Sequence, residues 1–253
     1  MRTFGIIGFP LTHSFSKQYF TEKIEREKVA DTVFQAFPLQ SIDAFPALLS
    51  DNPSLQGIAV TIPYKEKVLN YVTHLSEEVK QIGAANCIRI QGNQLTAYNT
   101  DIVGFERSFS KQLKPNHNKA LVLGTGGASK AVQFVLNKLG IDFLIVSRDT
   151  QAAENGIRYR DITGDMIRNY SIIINCTPLG MSPDDNTCPD LPYPALTAEH
   201  YLYDLVYKPA KTLFLQKGEE QGATIENGYE MLIIQAEENW RHWNETLTGQ
   251  YSL

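Results

Sequence analysis

The chain has 253 residues, 43% of them hydrophobic and 20% charged, with a formal net charge of −5. That length suits one large domain or two modest ones with their own cores, and the composition excludes disordered and fibrous classes. The acidic balance argues against a nucleic-acid partner but allows a small anionic ligand held by local donors.

The three cysteines, Cys87, Cys176 and Cys188, are odd in number and form no C-x-x-C pair. Neither a disulfide framework nor a zinc site is expected, and a reducing compartment is. The opening MRTFGIIGFPLTHS is short of the apolar length of a signal peptide. No run approaches the ~20 apolar residues of a membrane span, so a cytoplasmic protein is expected.

Thr3 to Gly8 reads as a short buried strand ending in Gly-Phe-Pro. Ser16 is placed to cap a helix with Phe20 and Ile24 on one face. Val33 to Phe37 and Gly57 to Ile62 read as strands, and Lys65 to Val72 as a helix after Pro63. Asn86 to Gln91 and Gln94 to Tyr98 make a hairpin around Gly92-Asn93. The alternation predicts an α/β fold with mostly parallel strands. Lys114 to Asn118 is a polar stretch that reads as a linker.

The strongest signal follows it. Ala120-Leu121-Val122-Leu123 is a buried-strand run leading into Gly124-Thr125-Gly126-Gly127-Ala128-Ser129. A helix with Ala128, Ala131, Val132, Val135, Leu136 and Leu139 on one face comes next, then the strand Phe143 to Val146. A strand, glycine loop, helix and strand in about thirty residues is the architecture of a dinucleotide-binding half. Gly124 permits the tight turn, Gly126 lets a pyrophosphate approach the backbone, and the helix start supplies free N–H groups. Arg148 lies 24 residues past Gly124, the region where an NAD enzyme carries Asp or Glu, so a cation there suits the 2′-phosphate of NADP. Strands at Ser171 to Asn175 and Tyr201 to Leu205, a helix near Thr212 to Gln221 and an amphipathic helix from about Tyr229 to Trp243 complete the chain. Two domains are predicted: residues 1–101 with 231–253, and a dinucleotide-binding domain over 102–230. The last helix is expected to pack back on the first domain, leaving a cleft between the two.

Polar groups gather at strand ends of the first domain: Ser14 and Ser16, Thr61 and Lys65, Asn86, and Asn99-Thr100-Asp101. Taken singly, the serines are helix caps and Lys65 a solvated helix residue. Together they suggest a site, because open α/β sheets bind ligands at the carboxyl ends of strands.

The blocks S-x-S, V-T-x-P-x-K, G-A-x-N, N-T-D, G-x-G-G-A-S, N-x-T-x-x-G-M and G-x-x-M-L-x-x-Q run in that order from residue 8 to about residue 236. In order and spacing they resemble the shikimate dehydrogenase family. The resemblance implies an N-terminal α/β substrate domain and a Rossmann-like, doubly wound NADP-binding domain. It implies NADPH-dependent, reversible reduction of 3-dehydroshikimate to shikimate in chorismate and aromatic amino-acid biosynthesis. It also implies residue roles. Ser14, Ser16 and Tyr207 would hold the substrate carboxylate, and Thr61, Asn86, Asp101 and Gln235 would contact ring hydroxyls. Lys65 and Asp101 would form the catalytic pair. Gly124, Thr125, Gly126, Gly127, Ala128 and Ser129 with Ser147 and Arg148 would take NADP. Thr177, within Asn175 to Met181, together with Val206 and Gly228 would line the nicotinamide side. The chemistry agrees: reducing a ketone needs a proton donor beside the developing alkoxide, and a lysine both donates and stabilises the oxyanion.

The family carries Asn-Arg-Thr where this chain has Ser147-Arg148-Asp149, so a weakened NADP preference is expected. A quinate/shikimate dehydrogenase with dual NAD/NADP use is the alternative, with Ser16 favouring shikimate. A short-chain dehydrogenase is excluded by order. Tyr19 with Lys23, and Tyr207 with Lys211, match its spacing, but its glycine loop opens the chain, so both pairs read as surface or loop coincidences. Cys176 reads as a small core residue, and Trp240 and Trp243 as packing of the last helix. The expected partner is a small molecule, not nucleic acid or membrane, for a monomer or homodimer.

Overall fold

The computed structural model describes residues 1–11, 15–148 and 156–245. Backbone contacts divide the chain into two compact units, Met1–Thr100 with the segment from Ala236 onward, and Asp101–Gln235.

The first unit is built on strands β1 (Arg2–Gly8), β2 (Thr32–Pro38), β3 (Leu55–Val60), β4 (His74–Leu75), β5 (Cys87–Gln91) and β6 (Gln94–Tyr98), in the order β2-β1-β3-β5-β6-β4. β1 is parallel to both neighbours, whereas β5 runs antiparallel to β3 and to its hairpin partner β6. The helices α1 (Phe15–Arg26), α2 (Phe45–Asp51) and α3 (Glu77–Ile82) belong to this unit, as does the last part of α8 (Tyr229–Asn244). Alternation along β1 sends Ile7 to one face and Phe4 and Ile6 to the other. The Ile7 face packs on Phe45, Ile58, Val68 and Ile88. The Phe4 face packs on Phe20, Phe34, Trp240 and Trp243, with Trp243 stacked on Phe4 at 5.3 Å between ring centres. The Trp243 indole N–H donates to the Ile88 carbonyl at 3.0 Å, so its polar end is satisfied in the core.

The second unit carries α4 (Asp101–Phe109), β7 (Lys119–Leu123), α5 (Gly127–Lys138), β8 (Asp142–Ser147), β9 (Gly156–Arg158), α6 (Gly164–Asn169), β10 (Ile172–Asn175), β11 (Tyr201–Asp204), α7 (Leu213–Glu220) and β12 (Thr224–Asn227). Its sheet order is β12-β11-β10-β7-β8-β9, and every neighbouring pair is parallel. The chain steps outward from β7 to β9, then returns to the other side of β7. This is the doubly wound order, with its switch point between β7 and β10. Leu121, Leu123, Val146, Ile173, Leu202 and Phe214 form one core of this unit.

Several expectations change. Ser16 is not a cap, because α1 already begins at Phe15. The helix expected over Lys65 to Val72 is a short 3₁₀ segment, Lys67–Tyr71. The linker expected over 114–118 is a tight turn that lies within the second unit. His117 is buried there, its Nδ1 accepting from the Lys114 N–H and its Nε2 lying 3.1 Å from the Glu199 carbonyl. An imidazole satisfied on both nitrogens pins the segment. Lys23 is no surface coincidence either. It is 5% exposed, paired to Glu27 at 2.8 Å and Glu237 at 2.9 Å, with the Tyr19 hydroxyl donating to the same Glu237 carboxylate. Among the described residues, no helix is long and apolar enough to cross a membrane.

Candidate active site

In the first unit, Thr61, Lys65 and Asn86 converge. Thr61 follows β3 directly, and its N–H donates to the Ile7 carbonyl at 3.0 Å. Its methyl lies over Gly8, where a Cβ would approach to 2.4 Å. Lys65 follows the buried Tyr64, and the Lys65 carbonyl accepts from the Ala85 N–H at 2.8 Å, next to Asn86. Asn86 is 3% exposed. Its Oδ1 accepts from the Thr100 N–H at 2.7 Å, its Nδ2 donates to the Thr100 hydroxyl, and that hydroxyl donates to Asn239 Oδ1 at 2.7 Å. Asn99 is held likewise, by a bond from its amide to the Ala84 carbonyl. Ser16 is half-buried in the first turn of α1. Ser14 lies outside the described residues, as does Asp149.

In the second unit the glycine turn has the geometry its sequence requires. Gly124 has φ +106°, a region closed to most side chains, and a Cβ there would meet Thr177 at 3.0 Å. Gly126 caps α5 without a side-chain bond, and a Cβ built on it meets no atom within 4 Å. Among the described residues, nothing crowds the Gly126 position ahead of the first turn, Gly127 and Ala128 onward. The first-turn N–H groups have no intrahelical acceptors, and the positive end of the helix faces that position. Thr125 bridges the two glycines. Ser129 is fully buried and donates to the Gly124 carbonyl at 2.7 Å, so its hydroxyl ties the helix start to the turn. At the end of β8, Ser147 is buried and Arg148 exposed. These residues fit a dinucleotide: a glycine turn at a helix start for the pyrophosphate and a cation at the adjacent strand end.

The turns after β10 and β11 share one buried hub. Asp204 is fully buried and accepts from the Thr212 hydroxyl at 2.5 Å, the Val206 N–H at 3.0 Å and the Asn175 amide at 2.9 Å. Burial pushes its carboxyl up to about 6, against the pull of those three donors. Asn175 in turn accepts from the Thr177 N–H and hydroxyl, at 3.1 and 2.6 Å. One carboxylate thus positions both Thr177 and Val206. Tyr207 follows half-buried, its phenol raised by burial. Gly228 lies where a Cβ would come within 2.2 Å of the Leu205 carbonyl, so only glycine lets the β12–α8 turn close on β11. Burial also raises the Cys176 thiol far above its ordinary range, which makes it a poor nucleophile.

Asp101 is the first residue of α4 and is 6% exposed. One turn further on, Gly104 packs against α8 where a Cβ would meet the Met231 carbonyl at 2.6 Å and the Gln235 Cβ at 3.2 Å. Gln235 is buried and donates to the Leu232 carbonyl at 3.0 Å. Sequence reasoning missed Asp204 and Thr212. The available signal was a lone carboxylate inside the apolar strand Tyr201–Asp204, which must find donors to be buried.

A family model described as the shikimate dehydrogenase substrate binding domain matches residues 6–88. A shikimate dehydrogenase (NADP(+)) of Caldicellulosiruptor bescii is 32% identical over 260 residues, covering 96% of this chain and 89% of the relative. The crystal structure of shikimate 5-dehydrogenase from Thermus thermophilus, in complex with NADP(H) and shikimate, superposes with a TM-score of 0.85 at 28% identity, over 96% of this chain and 94% of that one. Quinate dehydrogenase from Corynebacterium glutamicum, in complex with NAD, gives a TM-score of 0.86 at 26% identity, over 96% and 93%. The chain belongs to the shikimate dehydrogenase family.

Proposed function

We propose that the protein is a shikimate dehydrogenase, reducing 3-dehydroshikimate reversibly to shikimate with NADPH on the route to chorismate and aromatic amino acids. The observation that carries this is the glycine turn at the start of α5, in a chain whose other unit matches the substrate binding domain of shikimate dehydrogenase. NADPH, when bound, supplies the hydride. The first-turn N–H groups of α5 hold the pyrophosphate, Arg148 faces the 2′-phosphate, and Thr177, Val206 and Gly228 border the nicotinamide. Ser14, Ser16 and Tyr207 hold the substrate carboxylate, while Thr61, Asn86 and Gln235 orient the ring hydroxyls.

Lys65 and Asp101 act on neighbouring substrate oxygens. The Lys65 ammonium stabilises the developing alkoxide and delivers the proton to it. Asp101 accepts from the adjacent ring hydroxyl and fixes the carbonyl in place. The enzyme works in the cytoplasm on a small molecule, as a monomer or homodimer.

The test is shikimate oxidation followed at the nicotinamide absorbance, with NADP and with NAD. Turnover with NADP is expected, and Lys65→Ala should lower it by about 10² or more. No turnover of shikimate with either cofactor overturns the function, and near-normal turnover in Lys65→Ala returns Lys65 to a solvated surface role. Faster turnover of quinate with NAD would favour the dual-specificity alternative.

A further inference from the structure

A second exposed arginine stands one strand away from Arg148. β8 and β9 are parallel, with Ser147 directly opposite Arg158. Adjacent strands lie about 4.8 Å apart. Arg158, the last residue of β9, is thus one strand away from the Ser147-Arg148 strand end. Ile157 before it and Tyr159 after it pack on the apolar core, so its backbone is anchored on both sides while its side chain is exposed. Arg148 is exposed too, and it directly follows Ser147, the β8 residue paired with Arg158. Neighbouring Arg160 has Asp161 at 3.8 Å, whereas among the described residues neither Arg148 nor Arg158 has a carboxylate at that range.

We propose that Arg158 supplies a second positive charge to the 2′-phosphate of NADP, beside Arg148, and so helps determine cofactor specificity. The proposal rests on the placement of Arg148 at that phosphate. A phosphate monoester carries nearly two negative charges at neutral pH and three acceptor oxygens, more than one guanidinium neutralises or fills. NAD has a hydroxyl at the same carbon and gains little from either cation. The chain places Asp149 next to Arg148, a charge unfavourable to phosphate, and a cation from the next strand offsets it.

The experiment compares full-length Arg158→Gln, Arg158→Lys and Arg148→Gln with the parent. It measures kcat/KM for NADP and NAD at saturating shikimate, and inhibition by adenosine 2′,5′-bisphosphate and by AMP. Arg158→Gln should lower kcat/KM for NADP about tenfold, through KM, and weaken the bisphosphate by a similar factor. Activity with NAD and inhibition by AMP should stay unchanged, which also shows the variant is folded. Arg158→Lys should retain most of the preference. A loss in Arg148→Gln with none in Arg158→Gln overturns the role of Arg158 alone. Equal losses with NADP and NAD in Arg158→Gln make it a structural residue. No loss in either glutamine variant overturns the whole 2′-phosphate placement, and this proposal with it.

Discussion

The two units bring polar side chains to strand ends by different rules. In the second, all neighbouring strands are parallel, so Gly124, Arg148, Thr177, Val206 and Gly228 all follow strands and gather at one edge. In the first, β5 is reversed, so Asn86 stands just before a strand while Thr61 stands just after one. The supporting networks differ too. Asn86, Thr100 and Asn239 form a neutral chain of amides and a hydroxyl. Asn175, Val206 and Thr212 instead converge on one buried carboxyl, Asp204. A charged hub holds more donors per residue than a neutral one, and it makes the loops it holds sensitive to protons.

The sharpest way to break this contrast is to remove each hub. Asp204→Ala leaves a hydroxyl, an amide and a backbone N–H buried without their acceptor, and should cost about 3–5 kcal/mol of stability. Asn86→Ala strands chiefly the Thr100 N–H and should cost about 1–3 kcal/mol. Urea unfolding with unchanged slope measures both, and a smaller loss for Asp204→Ala than for Asn86→Ala would reverse the ranking of the two hubs.

A smaller effect tests the proton sensitivity. The Asp204 carboxyl titrates at about 6 when folded against about 3.9 unfolded, so the folded state holds its proton more tightly. Its contribution is fully present below about pH 4 and is lost as pH rises through about 6. His242, in the first unit, is pushed down to about 4 by burial and by the neighbouring Arg241, and it stacks on Tyr98 at 3.9 Å. Its contribution is present above about pH 6.5 and is lost as pH falls through about 4. Going from pH 7 to 5, the two groups should act oppositely, each by about 1–2 kcal/mol. Asp204→Asn should therefore lose more stability than the parent over that step, and His242→Gln less. If both variants shifted in the same direction, the opposition between the units would be wrong.

What could be read in advance depended on how local its cause was. The β7–turn–α5–β8 segment was legible because buried parallel strands are plain apolar runs and the turn needs glycine at fixed places. The β5–β6 hairpin was legible from alternation around Gly92-Asn93. β4, with two residues, and β9, with three, are too short to show a period. β12 is half-buried throughout, so it lacks the contrast a period needs. α3 was missed although Ser76 caps it and Glu77 and Glu78 open it, which are ordinary start signals. The burial of Lys23 was beyond local reading, since its partner Glu237 lies 214 positions away. Arg158 was invisible for the same reason: its place beside Ser147 comes from strand register.

The aromatic face of the first unit sets a schedule for making the protein. Phe4, Phe20 and Phe34 belong to the first forty residues, yet the indoles that cover them are at 240 and 243. On a ribosome adding about 5–20 residues per second, those phenylalanines wait roughly ten seconds or more for their cover. The second unit has all its own strands by then and is free to fold first. The early aromatic segment meanwhile is an adhesive surface on a nascent chain, the part a chaperone would need to hold. A chain that stopped short of Trp240 would carry that surface permanently.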